Sequence, residues 1–232
     1  VTLRTDPGAG PALPRREPAG PLASFLALAE ARLRREPPGP LDPTSNPRGD
    51  HDLEPDVLEA ALSRPPRLAA VLVPVVARER GVNVLFTLRA AHLRDHSGQV
   101  AFPGGKIDPA DPSPLAAALR EAHEEVGLPP EAVRPLGYLD AYLSGTGFLV
   151  TPVVGLVAPD APLRLNPAEV AEAFEVPLDF LMDVANHAQH SREWRGRQRR
   201  YYAIPFGERY IWGVTAGIVR NLYDHLRDDT PR

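Results

Sequence analysis

From Arg67 onward the apolar positions of the chain fall into short, dense runs with a two-residue period. LAAVLVPVVA (68–77) and NVLFTLR (83–89) are β-branched, apolar and alternating, which predicts two strands. GQVAFPGG (98–105) predicts a brief strand that closes in a Pro-Gly-Gly turn. The period then changes. In SPLAAALREAHEEVG (113–127) Leu115, Ala118, Leu119, Ala122 and Val126 recur at helical spacing, with Ser113 as N-cap, Pro114 in the first helical position and Gly127 as C-cap. Beyond it the pattern predicts strands near RPLGYLDAYL and FLVTPVVGLVA, a polar loop containing NPAEVAEAF, and a short helix at PLDFLMD. A strand at RRYYAIPF and a closing helix at WGVTAGIVRNLYDHLR complete the reading. Strands and helices mix without regular alternation, so an α/β fold with a mixed sheet flanked by helices is expected rather than a doubly wound parallel one.

The first 66 residues have another texture. Of the 28 prolines, ten precede residue 51, interleaved with Gly, Arg and Glu. PLASFLALAEARLRR interrupts them as one helical stretch, and EPDVLEAALSR suggests another. Residues 1–66 are therefore expected to form a loosely packed extension and residues 67–232 the domain proper; a chain starting near Leu53 is expected to stay folded.

Composition narrows the chemistry. Hydrophobic content of 43% and charged content of 24% are globular values. A net charge of −4 gives no general pull toward nucleic acid or anionic lipid. With no cysteine, thiolate chemistry is excluded and any metal must take oxygen or nitrogen ligands. The opening residues lack the apolar core of a signal peptide, and no apolar run is long enough to span a bilayer, so a cytoplasmic protein is expected. The chain opens on Val1 with Met182 as its only methionine, which points to a non-standard start or a processed end.

The helix over 113–127 holds the candidate chemistry. At about 100° per residue, Glu121, Glu124 and Glu125 cluster on one arc. Like charges at this spacing, toward a helix C-terminus, are unfavourable by themselves. A divalent cation would offset them, and Mg²⁺ favours carboxylate oxygens. Alone, the hexapeptide REAHEE also reads as a solvated face. The preceding FPGGKIDPADPSP adds a Gly-Gly turn, which lets backbone approach the same ion closely.

GGKIDPADPSPLAAALREAHEEVGL resembles the signature of the Nudix hydrolases at Gly105, Arg120, Glu121, Glu124, Glu125, Gly127 and Leu128. It departs from that pattern in Asp111 standing for a glutamate, in one extra residue between Asp111 and Arg120, and in the small Ala122. The resemblance implies a Nudix-type α/β/α sandwich with a mixed sheet and hydrolysis of a nucleoside diphosphate derivative with Mg²⁺ or Mn²⁺. Metal ligands would be Glu121, Glu124, Glu125 and the Gly105 carbonyl, with Arg120 orienting a glutamate. Upstream, LFTLRAAHLRDHSGQVAFPGG (85–105) is similar to the extra motif of coenzyme A diphosphatases at Thr87, Arg89, Leu93, Arg94, His96, Gly98, Val100 and Phe102. That implies coenzyme A as substrate, bound by Arg89, Arg94, His96 and Gly104, and 3′,5′-ADP and 4′-phosphopantetheine as products. For a general base Glu169 is preferred over Glu172, with Glu121 a further candidate. The basic run SREWRGRQRRYY reads as a solvated hairpin or as a contact for the 3′-phosphate or adenine. The rival substrates are ADP-ribose, a dinucleotide or a nucleoside triphosphate. A nucleotide-sensing module without catalysis is the rival of another class, although it would have no need of all three glutamates.

Overall fold

The computed structural model describes residues 20–39, 48–93, 96–194 and 196–227. Of the expected substrate residues, Arg94 lies outside them. The strands are β1 (Arg48–Gly49), β2 (Arg67–Arg78), β3 (Gly81–Arg89), β4 (Val100–Ala101), β5 (Gly104–Lys106), β6 (Val133–Tyr138) and β7 (Tyr142–Leu143). They continue with β8 (Phe148–Val157), β9 (Val170–Pro177), β10 (Ala188–Trp194), β11 (Arg197–Phe206) and β12 (Arg209–Trp212). The helices are α1 (Pro21–Arg32), α2 (Asp56–Leu62), α3 (Pro114–Val126), α4 (Leu178–Leu181) and α5 (Val214–Arg227).

A nine-stranded mixed sheet runs β1-β7-β8-β2-β3-β4, with β5 on β2, β6 on β8 and β9 on β3. β2 lies at its centre, parallel to β8 and antiparallel to β3 and β5. Its alternation explains why: Ala69, Val73 and Val75 enter one apolar cluster, while Ala70, Leu72 and Val76 enter another on the opposite face. A strand with both faces apolar can only be central. Ala117, Ala118, Ala122 and Val126 of α3 cover the second face, and their small side chains seat the helix close to the strands. The first face packs against α1, α5 and a three-stranded antiparallel sheet, β10-β11-β12, through residues such as Phe25, Ile204, Ile211, Ile218 and Leu222. The result is the expected layering of helix, mixed sheet and helix.

Two features depart from the sequence reading. VAEAFEVP forms strand β9, not part of a polar loop, and Glu172 sits on it. Its acidic residues are met by arginines, Glu172 by Arg209 and Glu175 by Arg78, so a strand with charged positions is tolerated there. The expected loose packing of the extension also does not describe residues 20–39 and 48–66. Phe25, Ala29 and Leu33, spaced by four, are buried in the main core. Arg34 bridges Tyr138, β1 pairs in parallel with β7, and Asp50 accepts hydrogen bonds from Tyr142 Oη at 2.8 Å and Gly145 N at 2.7 Å.

No helix among the described residues is long and apolar enough to cross a membrane.

Candidate active site

α3 is built to hold its glutamates still. Ser113 Oγ accepts from Ala116 N at 3.1 Å at one end, and Gly127 takes the left-handed conformation (φ 66°) at the other. The loop after β8 then docks on the last turn. Arg164 N donates to Val126 O at 2.7 Å and Asn166 N to Glu125 O at 2.9 Å. These bonds satisfy carbonyls that a helix end otherwise leaves open. They also bring Glu169 toward the helix. Asn166 Nδ2 holds the Glu169 carboxylate at 3.2 Å, and Asn166 Oδ1 accepts from Ala168 N at 3.1 Å.

Glu125 is the buried member of the set, 3% exposed. One carboxylate oxygen accepts from Gly104 N at 3.2 Å and the other faces Arg89 Nη1 at 3.5 Å. Burial pushes its pKa up to about 7, against the opposing pull of the Gly104 N–H and Arg89, with Glu169 and Glu121 adding to the rise. Glu121 is likewise pushed above the usual carboxylate range, chiefly by burial, with Glu124 and Glu169 contributing and Arg120 opposing. Glu169 thus disfavours charge on both Glu121 and Glu125.

The Gly-Gly turn fits against this set. A Cβ on Gly105 would stand 2.5 Å from the Glu121 carboxylate, so the carboxyl occupies the space a side chain would need. Gly104 is at φ +155°, and a Cβ there would lie 2.5 Å from Ala70 O. Neither position admits a side chain without displacing its neighbours.

Arg120 ties the loop to the helix. Its Nε and Nη2 grip Asp111 at 3.1 and 2.9 Å, its Nη1 donates to Glu121 at 3.0 Å and Glu124 at 3.2 Å, and Nη2 also reaches Lys106 O at 3.2 Å. The guanidinium, with a second hydrogen bond from Asp108 N, holds the Asp111 carboxyl below its ordinary pKa range. The shorter acid on the longer loop therefore still reaches the arginine. Arg120 thus joins Asp111, Glu121, Glu124 and Lys106 O in one network, and the planar fork suits this many partners.

Other expected residues are placed less centrally. Glu124 is the open member of the trio, its side chain 52% exposed. Glu172 is engaged with Arg209 on β9 and does not join the glutamates, whereas Glu169 does. His96 is exposed, at φ 57°, with Nδ1 3.0 Å from Gln99 Oε1. The described part of the basic run, which leaves out Arg195, forms the paired strands β10 and β11; Arg200 bonds Glu54 and Leu53 O, and Arg192 lies over the Trp212 ring. Asn166 and His92 escaped the sequence reading. His92 Nε2 lies 3.1 Å from Ala168 O and Ala90 N donates to Glu169 O at 2.8 Å, so the turn after β3 and the Glu169 loop are bonded together. The Asn-Pro-Ala-Glu sequence is a turn signal that could have flagged Asn166.

Among the described residues, no three carboxylate or imidazole groups already surround one point as metal ligands. Arg120 draws Glu121 and Glu124 toward itself, while Gly104 and Arg89 hold Glu125. The donors nonetheless fit a hard divalent cation. They are all oxygen, they are partly buried, and their mutual repulsion is what such an ion relieves.

Residues 66–196 match the NUDIX domain family. An uncharacterized Nudix hydrolase NudL of Enterobacter sp. (strain 638) is 46% identical over 170 residues, 73% of this chain and 87% of that protein. NudL of Cronobacter sakazakii (strain ATCC BAA-894), also uncharacterized, is 47% identical over 170 residues, with the same 73% and 87% covered. Among solved structures, the Nudix hydrolase RenU from M. smegmatis is 29% identical, with a TM-score of 0.43, covering 50% of this chain and 74% of its own.

Proposed function

The chain belongs to the Nudix hydrolase family, and from that premise we propose that it cleaves the pyrophosphate of coenzyme A and its derivatives. The products are 3′,5′-ADP and 4′-phosphopantetheine. The observation that carries this reading is where Arg89 and Gly104 of segment 85–105 lie. Its strand β3 ends at Arg89 beside Glu125, and its final turn gives Glu125 the Gly104 N–H. Arg89 and Gly104, from the segment that resembles the coenzyme A motif, therefore both touch Glu125, where a substrate pyrophosphate would sit.

Mg²⁺ or Mn²⁺, held by Glu121, Glu124, Glu125 and the Gly105 carbonyl, would stabilise negative charge on the pyrophosphate and acidify water. The chain's own residues do the rest. Water attacks one phosphorus, the bridging P–O bond breaks, and the water's proton passes to Glu169. Glu121 is the second candidate for that proton. Arg89 binds a pyrophosphate oxygen, and Arg120 with Asp111 keeps Glu121 and Glu124 in place.

The test is hydrolysis of a panel with each metal, identifying products: coenzyme A, dephospho-coenzyme A, ADP-ribose, a diadenosine polyphosphate and nucleoside triphosphates. Coenzyme A is expected to have the highest kcat/KM. A clear preference for ADP-ribose would overturn the substrate and leave the pyrophosphatase chemistry standing. Binding without turnover of any member would favour a sensing module.

A further inference from the structure

The β10–β11–β12 sheet has two chemically different faces, and its register separates them. Ala188, Ala203 and Trp212 share one cross-strand row, His190 pairs with Tyr201, Arg192 with Arg199, and Pro205 with Tyr210. Side chains alternate along a strand, so these residues occupy one face. Tyr202, Ile204, Phe206 and Ile211 occupy the other and pack on the core. The outer face thus presents aromatic rings and the exposed Arg192, while the half-buried Arg199 lies beside Asp50 and interacts with Glu54.

The rings are already arranged. Tyr201 and Trp212 meet edge to face at 5.3 Å, His190 stacks on Tyr210 at 6.0 Å, and Tyr210 Oη lies 2.6 Å from His190 Nδ1. Arg192 holds its guanidinium 4.6 Å from the Trp212 ring centre. Tyr210 is 38% exposed and His190 and Arg192 are exposed. A rigid array of π faces beside a cation suits a planar group joined to a phosphate: the base stacks, and the guanidinium takes the anion.

The sheet is also anchored to both segments that build the glutamate site. Thr215 Oγ1, just past β12, donates to Val100 O at 3.0 Å, and β4 leads directly into the Gly104 turn. At the other end of β12, Arg209 pairs with Glu172, on the strand that Glu169 precedes.

We propose that this outer face binds an adenine nucleotide carrying a phosphate monoester, with Tyr201, Tyr210 and Trp212 against the base and Arg192 on the phosphate. The choice of adenine nucleotide rests on the coenzyme A reading; the aromatic and cationic character of the face does not. The nucleotide comes either from the substrate's own 3′-phosphoadenosine end or as a separate molecule.

The full chain is titrated with 3′,5′-ADP and with AMP in chelator, by calorimetry and tryptophan fluorescence, beside Arg192→Ala, Tyr210→Leu and Trp212→Leu. Circular dichroism and thermal unfolding confirm that each is folded. Affinity for 3′,5′-ADP is expected to fall roughly tenfold or more in each variant, the scale of a lost stacking or cationic contact. Unchanged affinity in folded Arg192→Ala and Tyr210→Leu overturns the proposal. So does a dimer that dissociates in these variants while nucleotide binding persists, since a second copy would then cover the face. If the variants raise KM for coenzyme A and leave kcat steady, the bound nucleotide is the substrate's own end. If they weaken 3′,5′-ADP binding without moving KM, it is a separate molecule. A wild type that hydrolyses no coenzyme A yet loses 3′,5′-ADP binding in the variants would sink the substrate reading and keep this one.

Discussion

Glu125 concentrates the conflict between stability and function in one side chain. Its pKa of about 7 in the fold, against an ordinary value of 4.5, means that the folded protein binds this proton more tightly than the unfolded chain does. The stabilisation is complete below about 4.5 and is lost as pH rises through about 7. In chelator, the Glu125 contribution to the melting temperature is therefore expected to fall between about pH 4.5 and about pH 7, and comparing Glu125→Gln with the wild type across that window should isolate it. The same substitution, like Glu121→Gln, should lower turnover by at least about 10²-fold, a typical cost of removing a charge-stabilising catalytic group. Near-normal activity in both variants would sink the metal-site reading. Arg89 gives a second prediction at this scale. Because its guanidinium faces Glu125 at 3.5 Å, it is expected to reach the pyrophosphate end of a coenzyme A substrate. Arg89→Ala should lower kcat/KM for coenzyme A and dephospho-coenzyme A together, on the scale of about 1.5–3 kcal/mol for a charged hydrogen bond. Loss confined to coenzyme A would instead place Arg89 on the 3′-phosphate.

Elements decide whether those residues converge. α3 and its flanking turns were legible in the sequence because the cap and core signals agreed despite the clustered glutamates: Ser113 at the cap, alanines at helical spacing, Gly127 at the close. Ser113→Ala should cost about 0.5–2 kcal/mol of stability in denaturant unfolding. Gly105→Ala should act differently, leaving the fold and displacing Glu121, since the new Cβ would lie 2.5 Å from its carboxylate. Its signature is a fall in kcat with an unchanged melting temperature; unaltered kcat would mean that Glu121 moves aside without consequence. β9 was less legible. Glu172 and Glu175 break the apolar pattern of VAEAFEVP, and their neutralisation by Arg209 and Arg78 is a long-range fact that local periodicity cannot carry. Asp111 was a poor match to the glutamate position of the family signature, yet Arg120 reaches it, because the loop that carries Asp111 runs back along α3. The pairing depends on the course of the chain, which residue spacing alone does not set.

At the scale of the whole molecule, the Pro-rich composition of the first 66 residues obscured how much of them is core. Phe25 and Ala29 of α1 and Leu33 just past its end recur at i, i+4 and i+8, a stripe too short to stand out against ten prolines. Further along, Arg48 Nη2 bonds Asp224 at 2.6 Å on α5, and Asp50 caps both the Tyr142 hydroxyl and the Gly145 amide. Each buried large apolar side chain contributes about 1.5–3 kcal/mol. Leaving the buried Tyr142 hydroxyl without its acceptor costs about 1–3 kcal/mol more. A typical domain has only about 5–15 kcal/mol of net stability. Removing residues 1–52 should therefore leave a chain that unfolds at much lower denaturant or aggregates. Phe25→Ala in the full chain isolates the packing share, with an expected loss of about 3–5 kcal/mol. Asp50→Asn isolates the polar share. A truncated chain with an unchanged unfolding midpoint and undiminished hydrolysis would mean that α1 and β1 rest on the domain without supporting it.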